Sequence, residues 1–297
     1  MPPKGKGLHR FKNSCGGAVM HDEAVSLLVS ERKETKETIM QERHKNRQRY
    51  FCELAETSAN CFMPYISRWH EVGRGTNVLE IGCGEGGNLL PFAKTGAAVT
   101  GIDIASCRIE QARKFFGEEQ AAGSFICCDI FGYQAREKFD IIICHDVLEH
   151  LRNKERLLSL VHSSLKDGGI AFMSFPAWLM PFGGHQQISR SRLLSHLPFV
   201  HLLPLPLYKH LIRWSGEGNG CMDELLSIRS TRITVEAFER LVGRSQMTIL
   251  DRTLYLINPH YKVKFGLPPC KLLQPLSYVP YLRDLLSSSC FYLLRNR

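Results

Sequence analysis

The sequence predicts an α/β protein with a doubly wound, Rossmann-like sheet that carries helices on both faces. Short apolar segments alternate with segments of helical character between residues 77 and 176. The first apolar segment, residues 77–87 (NVLEIGCGEGG), joins a buried strand to a glycine-rich turn and then to a helix near Asn88. Such a turn brings the backbone close to a ligand, and it therefore predicts a site for a nucleoside-bearing cofactor.

The glycine spacing alone does not identify the cofactor. Gly82, Gly84 and Gly87 also satisfy the G-x-G-x-x-G spacing of a dinucleotide-binding turn. A second apolar strand, AVTGID, ends at Asp103, about twenty residues after the turn, where a carboxylate can accept ribose hydroxyls. Both cofactor classes predict that carboxylate. Glu80, within the first strand, distinguishes them only together with the motifs that follow.

Three further strands are predicted in order along the chain. SFICCDI ends in Asp129, and FDIIICHDVLEH continues from a strand into a short helix. LKDGGIAFMSFP, residues 165–176, leads through a tight Gly-Gly turn into a fifth strand. Because the carboxyl ends of parallel strands share one edge of a sheet, the polar residues after these strands are expected on the ligand side.

This series of motifs resembles the class I S-adenosylmethionine-dependent methyltransferases, and the motifs occur in the family's order. It is most similar to the small-molecule enzymes that include the quinone-biosynthesis methyltransferases. The resemblance implies a seven-stranded sheet whose last strand, CFYLLRN, is antiparallel and lies between the fifth and sixth. It also implies S-adenosyl-L-methionine as the cofactor.

The resemblance assigns cofactor roles to residues after the strands. The glycines of the turn would contact the methionine part through the backbone, and Glu80 would hold its amino end. Asp103 would bind the ribose, with strand-end capping as the alternative, and Asp129 the adenine amino group. The full set of expected cofactor-binding residues is Glu80, Gly82, Cys83, Gly84, Gly86, Asp103, Ile104, Asp129, Ile130 and His145.

Five segments are predicted along the chain. A flexible basic arm and a polar helix (1–49) precede a helical cover (50–76) in which apolar residues such as Phe51 and Trp69 are expected in the core. The cofactor-binding core (77–176) is followed by an inserted lid (177–232), the first insertion, and by a C-terminal part (233–297) that contains a second insertion (258–289). In that last part Thr234 is the expected N-cap of a helix, and MTILDRTLYLI is the sixth strand.

The insertion after the fifth strand contains an apolar stretch, LPFVHLLPLPLYKHLIRW. Its prolines and charges argue against a membrane-spanning helix. We expect an apolar lid over the acceptor pocket, with a flexible Gly183-Gly184 pair near its start. The alternative is peripheral docking on a membrane, with Lys209 and Arg213 beside the headgroups.

Composition sets further bounds on the 297-residue chain. The net charge is +9, and residues 177–297 carry fifteen Lys+Arg against seven Asp+Glu, a local excess of +8. This excess favours an anionic acceptor or an anionic membrane surface, with ordinary solvated charge as the alternative. None of the eleven cysteines forms a C-x-x-C pair, so we expect buried reduced thiols such as Cys127 and no metal site. The N-terminal residues do not resemble a signal peptide, which predicts a cytoplasmic protein.

Three histidines are candidates for a general base. His185, in the insertion, is the first choice, because a closing loop could bring it to the acceptor. His145 is the second choice, because it lies at the carboxyl edge of the sheet. His150 follows Asp146 by four residues on the expected short helix, a spacing that favours a helix-stabilising pair.

Methyl transfer to a small molecule, lipid-like or saccharide, at oxygen or carbon, is the leading functional prediction. The alternatives are an NAD(P)-dependent oxidoreductase and a nonenzymatic binding protein with a vestigial cofactor pocket. A nucleic-acid substrate is disfavoured, because the chain contains no N-P-P-Y-type motif and no basic-aromatic recognition module.

Overall fold

Eight strands form a single sheet in the computed structural model, which describes residues 47–297. The predicted arm and most of the polar helix, residues 1–46, lie outside the described residues. The strands are β1 (Asn77–Ile81), β2 (Ala98–Asp103), β3 (Ser124–Cys127), β4 (Phe139–His145), β5 (Leu165–Phe175), β6 (Met247–Ile257), β7 (Cys270–Lys271) and β8 (Ser289–Asn296).

The order of the strands is β3-β2-β1-β4-β5-β8-β6-β7. Strands β1 to β5 pair in parallel, whereas β8 is antiparallel to both β5 and β6. The predicted fold class and the insertion of the antiparallel strand are therefore confirmed. The predicted number of seven strands is wrong, because the second insertion adds the two-residue strand β7 at the edge of the sheet.

Eleven helices connect the strands in the described part of the chain. The first, α1, comprises helical residues 49–57, a π-helical turn (Ser58–Phe62) and Met63–Ile66. The others are α2 (Leu90–Lys94), α3 (Ser106–Glu118), α4 (Lys154–Ser164), α5 (Arg192–His196), α6 (Leu205–Trp214), α7 (Asn219–Thr231), α8 (Val235–Arg244), α9 (His260–Phe265), α10 (Gln274–Ser277) and α11 (Leu282–Leu286). None of the described helices is both long enough and apolar enough to traverse a bilayer.

Hydrophobic cores lie on both faces of the sheet. In the central strand β4, Ile141 and Ile143 pack into one core and Ile142 into the other, because successive side chains of a strand point to opposite faces. This double burial explains why β4 reads as a continuous apolar run. The carboxyl ends of β1, β2 and β4 are thereby fixed side by side.

Helix α1 lies against the glycine-rich turn after β1. The Ser58 hydroxyl donates to the carbonyl of Asn88 at 2.7 Å, and Phe51 and Phe62 are buried beneath the helix. Trp69, which was expected in the core, is exposed because it lies in the turn after the helix has ended. A helix therefore borders the cofactor side of the sheet before the first strand begins.

The insertion after β5 folds around a small core of its own. Leu194, Tyr208, Ile212 and Leu225 from helices α5 to α7 are buried together. The Gly183-Gly184 pair is also buried, and a Cβ at Gly184 would lie 2.2 Å from the Cβ of His201. The expectation of a flexible glycine pair is therefore wrong, because the close approach of His201 requires a residue without a side chain.

The C-terminal part begins as predicted. The Thr234 hydroxyl accepts from the amide of Ala237 at 3.1 Å and caps α8. The carboxylate of Asp284, in the second insertion, accepts from the amides of Leu179 and Val235 at 2.8 and 2.7 Å. This buried aspartate joins the start of the first insertion to α8 and to α11.

The expectation of buried thiols is confirmed for only three of the ten described cysteines, Cys83, Cys144 and Cys290. Cys144 is buried, as expected for an apolar strand, but Cys127 is exposed because it ends the edge strand β3. All ten described cysteines are free thiols. Among the described residues, no three His, Cys, Asp or Glu side chains are grouped so that they could hold a metal ion.

Candidate active site

The turn after β1 is shaped by backbone conformations that favour glycine. Gly82 and Gly86 have φ of +70° and +83°. A Cβ at Gly82 would lie 2.4 Å from Val147, and one at Gly86 would lie 2.9 Å from Phe125. Larger residues are therefore excluded by both conformation and space, which leaves a backbone cradle at the carboxyl end of β1.

Glu80 contributes a buried carboxylate to this cradle. Its Oε1 accepts from Asn88 Nδ2 at 2.7 Å, whereas Oε2 has no hydrogen-bond partner among the residues that the structure describes. Burial raises the pKa of Glu80 to about 8, with Asn88 opposing the shift and Asp103 adding to it. A cationic amino group is the partner that such a carboxylate lacks.

Asp103 ends β2 beside the same turn. Its Oδ2 accepts from the amide of Gly84 at 2.9 Å, and its Oδ1 accepts from the amide of Ala105 at 2.8 Å. These bonds are the capping role that was the alternative to ribose binding. Each carboxylate oxygen retains a second lone pair, so the carboxylate can do both.

The neighbouring candidates divide into exposed and buried side chains. Ile104 is 75% exposed, which leaves an apolar surface beside Asp103. Asp129 is exposed, and its Oδ1 accepts from the amide of Phe131 at 2.9 Å. Cys83 and Ile130 belong to the cores, so we expect them to contact a ligand only through their backbone.

His145 and Asp146 follow at the end of β4. The His145 ring lies 4.8 Å from that of Phe62, and its Nδ1 is 3.5 Å from Asp146 Oδ2. The backbone of Asp146 has φ of +53°, and the short 3₁₀-helix begins only at Leu148. The expected helical pairing of Asp146 with His150 is therefore wrong, since the two residues do not share a helix.

A buried carboxylate joins the two remaining histidines. Glu149 Oε1 lies 3.9 Å from His185 Nε2 and 4.0 Å from His150 Nε2, and the two rings are 5.4 Å apart. Neither oxygen of Glu149 has a hydrogen-bond partner among the described residues. Burial and Asp146 raise the pKa of Glu149 well above its usual value. Glu149 was not among the predicted site residues, although it lies between Leu148 and His150 in the HDVLEH motif.

The loop that carries His185 is held by hydrogen bonds from buried side chains. Gln186 is buried and donates through Nε2 to the carbonyls of Pro181 and Leu197 at 2.9 and 3.3 Å. His201, also buried, bonds the carbonyl of Trp178 through Nε2 at 2.8 Å. Burial and His150 lower the pKa of His185, whereas Asp146 opposes this shift. His185 is therefore held in place as a neutral imidazole, the form that accepts a proton.

Tyr50 and Thr57 of α1 meet His260 at the start of α9, and these three residues form a further wall of the candidate site. His260 Nδ1 lies 3.0 Å from Thr57 Oγ1, and the His260 ring is 6.1 Å from that of Tyr50. Burial, His145 and Lys264 lower the pKa of His260. Sequence analysis missed His260, because nothing local links it to the cofactor motifs.

Comparison with known proteins supports the fold and reveals a methyltransferase domain within the chain. The family described as "Methyltransferase domain" matches residues 78–169. A ubiquinone biosynthesis O-methyltransferase from Coxiella burnetii is 32% identical over 121 residues, which are 39% of this chain and 52% of that protein. The protein of the same name from Mesorhizobium japonicum is 25% identical over 186 residues, 62% of this chain and 65% of that protein.

Solved structures agree on the fold. The plantazolicin methyltransferase in complex with SAH superposes with a TM-score of 0.51 at 17% identity, covering 88% of this chain and 91% of that one. An S-adenosylmethionine-dependent methyltransferase from Clostridium acetobutylicum gives a TM-score of 0.52 at 12% identity. The match covers 81% of this chain and 91% of that one. Residues 78–169 therefore form a methyltransferase domain, and the chain has the fold of the class I S-adenosylmethionine-dependent methyltransferases. S-Adenosylmethionine is the cofactor of this family, and the orphaned Glu80 oxygen and the glycine cradle fit its methionine part.

The resemblance to the curated relatives is partial. The methyltransferase chain spans about half the length of the Coxiella burnetii protein that it matches. The matched family covers the cofactor core and ends within β5. Both insertions and α1 therefore lie outside the family match.

We predict that this methyltransferase releases a proton from Glu80 when it binds S-adenosylmethionine. With a pKa of about 8, Glu80 is largely protonated in the free protein at pH 7, and the cationic amino group of the cofactor favours the carboxylate. Affinity should therefore rise with pH, approaching tenfold per unit between about pH 6 and pH 7.5. Calorimetry in two buffers of different ionisation enthalpy measures the released proton.

Glu80→Gln provides the control for this measurement. It keeps the size of the side chain but cannot ionise, so we expect weaker binding without proton release. Equal proton counts in the wild type and in Glu80→Gln would contradict the role given to Glu80.

Proposed function

We propose that the chain transfers the methyl group of S-adenosylmethionine to a hydroxyl oxygen of a small-molecule acceptor. The observation that best supports this proposal is the position of His185. It is held as a neutral base beside the buried carboxyl group of Glu149, which follows the carboxyl end of β4. The cofactor supplies an activated methyl group on a sulfonium centre. The acceptor oxygen gains that methyl group while His185 takes the hydroxyl proton, so S-adenosylhomocysteine and a methyl ether are formed.

Glu149 is proposed to orient His185 and to stabilise its protonated form. The carboxylate lies close to the Nε2 atoms of both His185 and His150, and it is fully enclosed by protein. Because a buried anion is costly without a cation, a proton on His185 would favour the ionised form of Glu149. The Glu149 carboxylate would therefore stabilise the protonated form of His185.

His145 is the second candidate for the base. It lies closer to the carboxyl end of β4, but its ring packs against Phe62 and its side chain is largely buried. The packing of His145 against Phe62 favours a positioning role for His145. In this role the His145 ring lines the pocket and Asp146 holds its orientation. Methylation at oxygen is preferred over carbon, because the relatives from both bacteria are named O-methyltransferases.

The acceptor is proposed to be an amphipathic, lipid-like or saccharide anion. Its side of the site is lined by the insertion and by aromatic residues such as Tyr50 and Tyr261, and residues 177–297 carry the excess of eight positive charges. Burial and Asp146 raise the pKa of both tyrosines, which keeps their hydroxyls as neutral hydrogen-bond donors. Apolar and cationic surfaces together favour such a molecule.

Incubation with methyl-labelled S-adenosylmethionine and a panel of phenols, hydroxylated lipids and saccharides tests this proposal. Mass spectrometry should show an acceptor that gains one methyl group on oxygen, together with S-adenosylhomocysteine. Binding of NAD(P)H without affinity for S-adenosylmethionine would instead support an oxidoreductase. Cofactor binding without transfer to any member of the panel would support the nonenzymatic alternative.

A further inference from the structure

A surface of the second insertion combines exposed apolar side chains with lysines. Phe265, Leu267 and Leu273 are 58%, 48% and 70% exposed. Lys262, Lys264 and Lys271 are exposed on the same short segment, from α9 to the residues just after β7. We refer to these six residues as the C-terminal surface.

The exposed charge of this region has one sign. Between residues 256 and 285, Asp284 is the only acidic residue, and it is buried with backbone amides as its partners. Arg283, the remaining basic residue of the region, is also buried and forms ion pairs with Glu236 and Glu239. The three lysines therefore present positive charge to the solvent, and no exposed carboxylate lies in the same region.

The backbone beneath the C-terminal surface is held in place. The amide of Leu267 donates to the carbonyl of Tyr261 at 3.2 Å, and the amide of Leu272 donates to that of Leu254 at 2.8 Å. Leu272 is buried between its exposed neighbours Lys271 and Leu273. The apolar side chains are thus presented on an ordered segment and do not fold back into the core.

We propose that the C-terminal surface docks the protein on an anionic lipid bilayer. The three apolar side chains would enter the boundary between headgroups and acyl chains, and the lysines would face the anionic headgroups. A soluble anion would account for the lysines, but it would not account for the apolar residues among them. This combination favours a bilayer over a dissolved partner.

Docking would bring the candidate active site close to the lipid. Helix α9 begins at His260, which contacts Thr57, and it ends at Phe265 in the C-terminal surface. A helix of six residues is about 9 Å long. An acceptor embedded in the bilayer would therefore have a short path to the wall formed by His260. The docking itself requires no catalysis, so it can be tested independently of the proposed methyl transfer.

Sedimentation with phosphatidylcholine vesicles, with and without phosphatidylserine, tests the proposal on the full chain without cofactor. The wild type should bind the anionic vesicles and be released by salt. Replacing Lys262, Lys264 and Lys271 together by glutamine should weaken binding about a hundredfold, since each lysine near an anionic surface contributes roughly fivefold. Replacing Phe265, Leu267 and Leu273 together by serine should also release the protein.

A control on the first insertion makes the test specific. Leu207 and Trp214, on α6, are 51% and 68% exposed, and serine at both positions should leave vesicle binding unchanged. Thermal melting and S-adenosylmethionine binding check that every variant is folded. Absence of binding to anionic vesicles, or unchanged binding in both triple variants, would overturn the proposal. Loss of binding in the control variant alone would place the contact on the first insertion and would overturn it as well.

Discussion

Replacing His185 by alanine should lower kcat by about 10²- to 10⁴-fold, the usual contribution of a general base. Affinity for S-adenosylmethionine should change little, because Glu80 and the glycine turn belong to different elements from His185. Turnover assays with the unmethylated hydroxyl acceptor, together with calorimetry on the cofactor, measure both quantities. His196→Ala is the matched control, since His196 lies on the same insertion but is exposed. Among the described residues its ring bonds to Arg192 and Ser195, both of its own helix.

Two further variants separate the candidate roles around this base. Glu149→Gln removes the charge that would stabilise protonated His185, so kcat should fall and the pH profile should shift, whereas a purely structural role would leave the profile unchanged. His145→Gln should retain more activity than His185→Ala. The reverse order of the two histidine variants would make His145 the base, and full activity in His185→Ala would leave that residue a structural role.

Replacing Asp103 by alanine should weaken S-adenosylmethionine binding by about 1 to 3 kcal/mol, which is the cost of leaving buried donors without a partner. The amides of Gly84 and Ala105 would lose their acceptor, and the ribose hydroxyls would lose theirs. Calorimetry measures the affinity, and thermal melting of the free protein measures how much of the effect comes from the turn. Asp167→Ala, at an exposed position near the start of β5, should bind the cofactor as the wild type does.

Asp103→Asn distinguishes the two roles of this carboxylate. Asparagine keeps one side-chain carbonyl for the backbone amides but has no charge for the ribose hydroxyls. Loss of affinity with an unchanged melting temperature would support ribose binding. Normal affinity in both variants would contradict the assignment of Asp103 to the cofactor.

The cofactor half of the fold could be predicted because its determinants are local. The apolar run of β1, the glycines after it and the carboxylate at the end of β2 lie within 27 consecutive residues, and each motif has its own periodicity or turn chemistry. The positive φ of Gly82 and Gly86 and the burial of Glu80 follow directly from that pattern. The family match over residues 78–169 covers the same part of the chain.

The proposed acceptor side was less predictable because its contacts connect distant residues. Thr57 and His260 meet across 203 positions, and no local pattern records such a contact. Gly183 and Gly184 looked flexible by residue type, but the close packing of His201 determines their surroundings. Similarly, two residues are too few to show the alternation of a strand, so β7 could not be recognised before the fold was known.

The position of β8 has a consequence for biosynthesis. Residues 289–296 fill the gap between β5 and β6, so the sheet stays open along two edges until this late segment has left the ribosome. The nascent chain therefore displays unpaired strand edges over a long interval of translation, which invites association with other chains. We expect molecular chaperones to shield that opening during synthesis.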